Sequence, residues 1–456
     1  MKIYNTLTKN KDDFIPSAGV VTVYVCGPTV YNYIHIGNAR PLCVFDVLVK
    51  YLKHQKYEVK HIQNFTDVDD KIINKAAEEG VAPSEIALKY IKEYKKDAHG
   101  LNIRDADVTP KVTENIDCIV EFISMLSKKG YTYQTDSGVY FRTAKFKKYG
   151  ALSCMPIEDL QAGARIDTDS DKENVLDFAL WKAAKPGEPA WNSPWGMGRP
   201  GWHIECSAMA RRYGGKTLDI HCGGQDLIFP HHENEIAQTE AATDEPLARY
   251  WMHNGYINVD SQKMSKSKGN FFTVREVAGV YGYDTVRYLM LQTHYRSPIN
   301  YSEELLESCK VSLERIYNCR GNLQLALDSA QWSGSGRDFS SFKDRFFAAL
   351  SDDLNTADAI SVLFELVREI NKILRETVSR ETLTSAFLAF DEFCDLLGIE
   401  PLRQSVIPEE VQKLADLRKK AKKARNFELA DEYRSKIADL GYTIEDTRQG
   451  VKIVRT

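Results

Sequence analysis

No stretch of the 456-residue chain is apolar for long enough to cross a membrane as a helix, so we expect no membrane partner. The nine cysteines show no regular spacing, which argues against the disulfide framework of a secreted protein and favours reduced thiols, some of them metal ligands. The formal net charge of -4 leaves no general excess of positive charge for coating nucleic acid. Because a polar segment, and no secretory signal pattern, opens the chain, we expect a cytoplasmic protein.

The order of apolar patterns predicts an α/β protein with several domains, since the chain is too long for one ordinary core. Residues 20–25 are β-branched and apolar, as in a buried strand, and a helix pattern follows around residues 44–48. Residues 59–65 have the pattern of the next strand. Strand, helix and strand in this order begin a Rossmann-like parallel sheet, whose ligands bind beyond the carboxyl ends of the strands.

Changes of pattern divide the chain into four predicted parts. We predict a Rossmann-like catalytic domain made of residues 1–116 and 202–283, interrupted at 117–201 by an insertion with turns rich in Pro, Gly and Trp. Helical periodicity predicts an α-helical bundle over residues 284–397. Residues 398–456 combine a basic helix with two short β patterns and predict a small mixed α/β domain.

Two short motifs, far apart in the chain, carry groups suited to the phosphates of a nucleotide. In the first motif, His35, Gly37 and Asn38 lie where a helix is predicted to begin, and free backbone N–H groups there favour anions. The second motif consists of Lys263, Met264, Ser265, Lys266 and Ser267, and its lysines are suited to stabilising pyrophosphate as charge develops. Taken singly, the motifs would pass for a loop histidine and a charged turn. Together, in this order, they predict an ATP site.

Four side chains carry donor atoms suited to a zinc ion: Cys26, Cys206, His231 and Glu235. Cys26 directly follows the first predicted strand and precedes the first motif. His231 and Glu235 follow Pro230 and are four residues apart, so they share one face of a predicted helix. A polar network is the alternative, because the four residues are widely spaced. The other cysteines are predicted to be small buried hydrophobes: Cys43, Cys118, Cys154, Cys222, Cys309, Cys319 and Cys394.

In its two motifs the chain resembles the class I aminoacyl-tRNA synthetases, and along essentially its whole length it resembles the cysteinyl-tRNA synthetases. The segments that carry this resemblance are residues 26–31, 65–71, 199–207, 229–235 and 263–267. The resemblance implies an ATP-dependent, AMP-forming ligase that converts L-cysteine and ATP to cysteinyl-adenylate and pyrophosphate, then transfers cysteine to the 3′ end of tRNA(Cys). Mg²⁺ is expected with the ATP. A monomer is expected, because nothing in the sequence requires a dimer.

The resemblance also implies how the amino acid is selected. One zinc ion per chain would be held in the amino acid pocket by the four donors above, and the substrate thiolate would complete its shell. Thr66, Trp202 and Asp226 would line this pocket, with Trp202 at its floor and Asp226 near the α-amino group. Core packing is a comparable interpretation of Trp202.

For the ATP site, the resemblance implies that His35 and Lys266 contact the transition state of adenylate formation, supported by Lys263. The family's first motif ends in histidine, whereas this chain has Asn38. Asparagine can donate a hydrogen bond to a phosphate but carries no charge, so we expect a smaller contribution from this position.

The C-terminal part resembles the tRNA-binding end of the family. Lys422 belongs to a basic run at residues 413–425, which the resemblance links to tRNA phosphates. Phe427 would stack on an unpaired anticodon base, and Asp431 and Asp446 would bind base edges. A solvated helix face is the alternative for the basic run, and helix core is an equal alternative for Phe427.

Two other functions stay open from the sequence. A ligase that joins cysteine to an amino sugar would share the cysteine-activating domain, but such relatives lack the anticodon-binding end that this chain carries after residue 397. A catalytically idle tRNA-binding paralogue should have lost part of a motif. Here His35, Lys263, Lys266 and all four zinc donors are present.

Overall fold

The computed structural model describes residues 1–17, 19–154, 171–259, 262–263, 272–328, 334, 336–376, 378–399, 408–447 and 450–455. These residues form two compact units. The first unit consists of Met1–Glu307 and Ala349–Ala357, and the second consists of Ser308–Ala348 and Asp358–Thr456. Within the described ranges, no helix is both long and apolar enough to cross a membrane.

The first unit contains thirteen strands and eight α-helices in the part that is described. The strands are β1 (Lys2–Asn5), β2 (Asn10–Asp13), β3 (Val21–Val25), β4 (Val59–Gln63), β5 (Thr132–Thr135), β6 (Gly138–Phe141), β7 (Phe178–Ala183), β8 (Gly198–Pro200), β9 (Leu218–Gly224), β10 (Ala248–Asn254), β11 (Ile257–Val259), β12 (Gln262–Lys263) and β13 (Ile299–Tyr301). The helices are α1 (Ile36–His54), α2 (Asp70–Glu79), α3 (Pro83–Gly100), α4 (Ile116–Lys128), α5 (Trp202–Gly214), α6 (Glu233–Thr243), α7 (Val274–Tyr281) and α8 (Tyr283–Leu291).

A four-stranded parallel sheet in the order β10-β9-β3-β4 forms the centre of the first unit. Both faces of β3 are covered, since the neighbouring residues Val23 and Tyr24 point to opposite faces and are both at 0% exposure, which explains its mainly apolar sequence. The strands predicted near residues 20–25 and 59–65 are confirmed, and so are the helix after the first motif and the α/β fold class. The carboxyl ends of these parallel strands lie at one edge of the sheet, where ligands are expected.

Three smaller sheets complete the first unit as described. An antiparallel sheet in the order β5-β6-β7-β8 lies within the segment predicted to be an insertion. β1 pairs with β2. In the third sheet, β11 pairs in parallel with β13 and in antiparallel with β12, so the strand that ends at Lys263 is tied to β13 through β11.

The cysteines depart from the prediction at two positions. Cys43, Cys222, Cys309, Cys319 and Cys394 are buried, as predicted. Cys154 is exposed, because it lies in a turn with a positive φ of 52° after Leu152. Cys118 is half-buried at the start of α4, where its thiol donates to the carbonyl oxygen of Ala208 over 3.5 Å. The prediction was therefore wrong for these two thiols.

The second unit is mainly helical. Its helices are α9 (Glu303–Asp328), α10 (Ser340–Ser351), α11 (Thr356–Ile373), α12 (Arg380–Leu397), α13 (Glu409–Lys423) and α14 (Phe427–Asp439). Of these, α9 and α11 begin in the first unit and α10 ends in it. The rings of Phe346 and Phe393 stack in its core with centroids 3.9 Å apart. Strands β14 (Tyr442–Thr447) and β15 (Gly450–Arg455) form an antiparallel hairpin, and α13, α14 and this hairpin share a small core around Ile437. Arg418, expected in the surface basic run, is buried.

Candidate active site

The fold brings together the four side chains predicted to bind zinc. Cys26 directly follows β3, Cys206 lies in α5, His231 lies in the turn before α6, and Glu235 lies in the first turn of α6. One donor atom from each lies within 4.8 Å of the other three. We call Cys26, Cys206, His231 and Glu235 the donor cluster. All four are buried except Cys26, which is partly exposed.

The distances within the donor cluster match a tetrahedral shell. The Sγ atoms of Cys26 and Cys206 are 4.0 Å apart, and Cys26 Sγ is 3.6 Å from Glu235 Oε1. His231 Nε2 is 2.9 Å from the same carboxylate oxygen. A tetrahedral zinc ion with bonds of about 2.3 Å to sulfur and about 2.0 Å to nitrogen or oxygen places its ligand atoms roughly 3.3–3.8 Å apart. These three distances therefore fit a zinc ion after shifts of a few tenths of an ångström, and every other pair of donor atoms lies within 4.8 Å.

Glycine at position 27 lets the chain pass close to the backbone of Asn64 directly after Cys26. A Cβ at Gly27 would lie 1.6 Å from the backbone oxygen of Asn64, which no side chain can tolerate. The N–H of Gly27 donates to Asn64 Oδ1 over 2.9 Å, and Cys26 N–H donates to the carbonyl of Cys222 over 3.1 Å. The backbone on both sides of the Cys26 thiol is therefore fixed by hydrogen bonds to neighbouring segments.

Burial and the charges of neighbouring groups shift the pKa values of all four side chains in the donor cluster. Burial raises the pKa of Cys26, whereas a hydrogen bond from the Cys26 thiol lowers the pKa of Cys206 to about 6 against the effect of burial. Burial opposes a charge on His231, but Glu235 and Cys206 outweigh it and raise its pKa to about 10. Burial also opposes the Glu235 carboxylate, but His221 and His231 hold its pKa well below the usual range. Such a buried set of acidic ligands is the kind from which a divalent cation displaces protons.

Two further histidines contact the donor cluster directly. His221 Nε2 is 2.7 Å from Glu235 Oε2, and His232 Nε2 is 3.2 Å from Cys26 Sγ. Cys26, His221, His232 and Glu235 thus form a second set whose donor atoms lie within 4.8 Å of one another. Since the second set offers a single sulfur and the donor cluster offers two, the two sets predict different metal shells.

The other nitrogen of His232 begins a chain of hydrogen bonds that leads away from the donor cluster. His232 Nδ1 is 2.8 Å from His253 Nε2, and His253 Nδ1 is 2.8 Å from Thr6 Oγ1. Burial lowers the pKa of His253 to about 3 and that of His232 well below its ordinary value, so both rings are neutral. A neutral imidazole has one N–H and one acceptor nitrogen. When Cys26 is a thiolate, the one consistent arrangement is that Thr6 donates to His253, His253 to His232, and His232 to the sulfur.

His253 and Thr6 had no signal in the sequence. Only the pairing of the strands places them near the cluster. His221 lies in β9 and His253 lies near the carboxyl end of the neighbouring parallel strand β10, so both reach the same edge of the sheet as Cys26, which follows β3. His203 also contacts the donor cluster from outside, with its Nδ1 2.9 Å from Nδ1 of His231. Burial and the charge of His231 lower the pKa of His203, so His203 accepts this hydrogen bond.

The residues predicted to line the amino acid pocket have different environments. Trp202 is 38% exposed and stacks on His231 with ring centroids 4.2 Å apart, which excludes core packing as its role. Thr66 is buried, and its hydroxyl donates to Glu205 Oε2 over 2.9 Å. Asp226 is exposed in the turn after β9. The pKa of Tyr256 is raised, first by the burial of that tyrosine and second by the negative charge of Asp226.

The first phosphate motif lies at the start of α1, as predicted. His35 precedes the helix and pairs with Thr273 in an antiparallel bridge, and Gly37 lies in the first turn. Asn38 Oδ1 accepts a hydrogen bond from the backbone N–H of His35 over 3.1 Å, so this side chain caps the helix. The capping contact gives a physical reason for asparagine at this position. The sequence had predicted only a hydrogen bond from Asn38 to phosphate.

Only part of the second motif can be located. Lys263 ends β12, where its backbone pairs with Asn258 of β11. Met264, Ser265, Lys266 and Ser267 lie outside the described residues.

The residues predicted to bind the anticodon lie in the last helices and the hairpin. Phe427 begins α14 and is 62% exposed, which excludes the helix-core alternative. Asp431 is exposed on the same helix, and Lys422 lies in the last turn of α13. Asp446 lies in β14.

Comparisons with known proteins agree along the chain. Residues 15–311 match the family described as tRNA synthetases class I (C) catalytic domain, and residues 345–401 match the DALR domain. The cysteine–tRNA ligase of Clostridioides difficile (strain 630) is 52% identical over 461 residues, covering 99% of each chain. The cysteine–tRNA ligase of Caldicellulosiruptor saccharolyticus is 54% identical over 464 residues, covering 100% of each chain.

Among solved structures, the chain is similar to Mycobacterium tuberculosis methionyl-tRNA synthetase in complex with methionyl-adenylate. The TM-score is 0.63 at 17% identity, and the alignment covers 88% of this chain and 94% of the other. At this identity the similarity shows the fold alone.

Proposed function

The chain belongs to the cysteine–tRNA ligases, which are class I aminoacyl-tRNA synthetases, and on this premise we propose that it charges tRNA(Cys) with cysteine in two steps. In the first, the cysteine carboxylate attacks the α-phosphorus of ATP and pyrophosphate leaves. In the second, a hydroxyl of the 3′-terminal ribose of the tRNA takes the cysteinyl group and AMP leaves. The observation that supports cysteine as the substrate is the convergence of two thiols, an imidazole and a carboxylate on one buried point.

We further propose that the donor cluster holds one Zn²⁺ ion. Its two thiols, one imidazole and one carboxylate are ligands typical of zinc, and their spacing fits a tetrahedral shell. When bound, zinc supplies a strong preference for a thiolate over an alcohol. This preference matters because an apolar pocket separates serine from cysteine only weakly.

Several of the chain's own groups would then position cysteine. Trp202 covers the outer face of His231 by stacking and keeps water from that side of the pocket. The exposed carboxylate of Asp226 is suited to the α-ammonium group of the amino acid. Thr66 is fixed by its hydrogen bond to Glu205, a carboxyl group whose pKa is raised by burial, so Thr66 contributes a rigid wall.

For the ATP site, we propose that the start of α1 and His35 bind phosphate oxygens, while Lys263 and Lys266 neutralise charge that develops on pyrophosphate. Mg²⁺ would be held mainly by the phosphates of ATP. Adenylate formation needs no covalent nucleophile from the protein, so positioning and charge account for the catalysis.

We propose that the second unit binds tRNA, with Phe427 stacking on an anticodon base and Lys422, Asp431 and Asp446 contacting the same region. The exposure of Phe427 supports this role. The division into a catalytic domain with an insertion, a helical bundle over 284–397 and a C-terminal domain over 398–456 stays a proposal, as do a monomeric state and a cytoplasmic location. The amino-sugar ligase and the idle paralogue gain no support, since the curated relatives that match over 99–100% of the chain are cysteine–tRNA ligases.

The test is aminoacylation of bulk tRNA with labelled cysteine or labelled serine, with ATP present and the zinc content of the protein measured. We expect cysteine charging, negligible serine charging and about one zinc per chain, as a single four-ligand site implies. The matched variant Cys206→Ser should lose zinc and cysteine binding together. Cysteine-dependent pyrophosphate exchange without charging would point to the amino-sugar ligase, and normal zinc content in Cys206→Ser would contradict the ligand assignment.

A further inference from the structure

The side chain of Arg40 is a fully buried cation directly behind the first phosphate motif. It lies in the second turn of α1 and is 0% exposed. Its guanidinium donates to three backbone carbonyls: Nη1 to Gly255 over 3.0 Å and to Tyr256 over 3.0 Å, and Nη2 to His294 over 3.2 Å. Burial alone lowers its pKa to about 10, and within the described ranges no carboxylate offsets that effect.

The three acceptors belong to two segments that cross closely. The N–H of Gly255 donates to the carbonyl of Tyr295 over 2.8 Å. A Cβ at Gly255 would lie 2.6 Å from the carbonyl oxygen of Arg296, so the two segments meet backbone to backbone. Arg40 binds carbonyls from both of them at this crossing, and it therefore fixes the crossing relative to α1.

Both crossing segments lead into the sheet that carries the second phosphate motif. Residues 255–256 lead directly into β11, and the segment after His294 leads into β13, the parallel partner of β11. β11 in turn pairs with β12, the strand that ends at Lys263. On the other side of the second motif, the N–H of Ile36 donates to the carbonyl of Phe272 over 3.1 Å and the N–H of Val274 donates to that of Ile34 over 2.9 Å. Residues 255–256, which precede the second motif, and Phe272 and Val274, which follow it, are thus all hydrogen-bonded to residues 34–40.

We propose that Arg40 is a positioning residue of the activation reaction, holding the sheet that carries Lys263 at a fixed distance from the helix that begins after His35. This inference rests on the proposed function, since it assigns both motifs to ATP. A buried cation with only neutral acceptors costs folding free energy, so an apolar side chain of similar size would serve packing better. What the guanidinium provides is a planar set of donors that fixes three carbonyls at once.

The test compares Arg40→Met with Arg287→Met. Arg287 is a matched control, because it is equally buried at 1% exposure and also donates to two backbone carbonyls, those of Leu101 and Asn102, as well as to Asp46. These three acceptors lie outside β11 and β13. Each variant is measured for zinc content, for thermal stability and for kcat and KM in cysteine-dependent pyrophosphate exchange.

We expect Arg40→Met to lower kcat about 100-fold, the size typical of a misplacement of about 1 Å, while zinc content and the KM for cysteine stay at wild-type values. Arg287→Met should lose thermal stability but keep kcat. In Arg40→Ala, added guanidinium should restore part of the lost kcat, and it should have no such effect on Arg287→Ala. If Arg40→Met does not fold, Arg40→Lys takes its place, with a smaller loss of kcat because one ammonium group cannot reach all three carbonyls.

Wild-type kcat in a folded Arg40→Met or Arg40→Lys protein would overturn the proposal. So would an equal loss of kcat in Arg287→Met, since the effect would then follow from general destabilisation. A wild-type protein without any cysteine-dependent exchange would instead overturn the proposed function, and the Arg40 proposal with it.

Discussion

The chain of hydrogen bonds from Thr6 to Cys26 makes a specific prediction for His253. Replacing His253 with leucine removes the N–H that the structure directs at His232 Nδ1, a nitrogen buried in a residue with 0% exposure. The ring of His232 can then change tautomer, so that its proton lies on Nδ1 and no longer on Nε2, which faces the Cys26 thiolate. We expect zinc to bind more weakly although no zinc ligand has changed.

The size of the effect follows from the burial of the site. Leaving one buried polar atom without a partner costs about 1–3 kcal/mol. The loss of an outer partner of a metal ligand typically weakens metal binding about 10- to 100-fold, and each factor of ten corresponds to about 1.4 kcal/mol. The two estimates agree, so we expect His253→Leu to weaken zinc binding by about one to two powers of ten.

The assay is competition for zinc against a chelator of known affinity, together with the KM values for cysteine and ATP. His253→Gln is the matched control, because the glutamine amide nitrogen reaches about the place of Nε2 and can still donate to His232. We expect His253→Gln to stay near wild type and His253→Leu to raise the KM for cysteine but not for ATP. Wild-type zinc affinity in His253→Leu would refute the reasoning, and so would an equal loss of zinc affinity in His253→Leu and His253→Gln.

Three other predictions follow from the site and the second unit. Zinc binding should strengthen with rising pH by about 100-fold per pH unit near neutrality, because Cys26 and His231 both hold protons there that zinc must displace. Calorimetry in several buffers should count about two protons released per zinc ion, and no proton release would contradict this prediction. Lys266→Ala should slow pyrophosphate exchange about 100-fold at unchanged zinc content, as the loss of a transition-state contact implies, and a fall in the zinc content would contradict it. Phe427→Ala, which removes an exposed ring, should raise the KM for tRNA by about 10-fold, equivalent to a stacking loss of about 1–3 kcal/mol, while pyrophosphate exchange is unchanged; an unchanged KM would contradict the stacking role.

The sequence predicted those parts of the fold and site that depend on local pattern. β3 was predictable because a strand buried in a parallel sheet is a nearly continuous apolar and β-branched run. Part of the donor cluster could be proposed because Cys26 directly follows a strand and His231 and Glu235 have helical spacing. These patterns are carried by residues close together in the chain.

The remaining parts depend on which distant segments meet. The partners of Arg40 are more than 200 positions away, and nothing near residue 40 indicates that three carbonyls face it. The contact between Thr6 and His253 spans 247 positions and becomes visible only when β10 takes its place beside β9. Arg418 lies in the basic run of residues 413–425, where a charge is usually solvated, whereas its side chain is buried.

X-ray absorption at the zinc edge tests the central claim most directly, because it counts sulfur ligands. With the donor cluster as the site, we predict a shell of two sulfur and two nitrogen or oxygen atoms, which gains a third sulfur when cysteine is added and does not change with serine. A shell with a single sulfur would instead indicate the set of Cys26, His221, His232 and Glu235. A two-sulfur shell that does not respond to cysteine would show that the metal does not select the amino acid, and it would contradict the account.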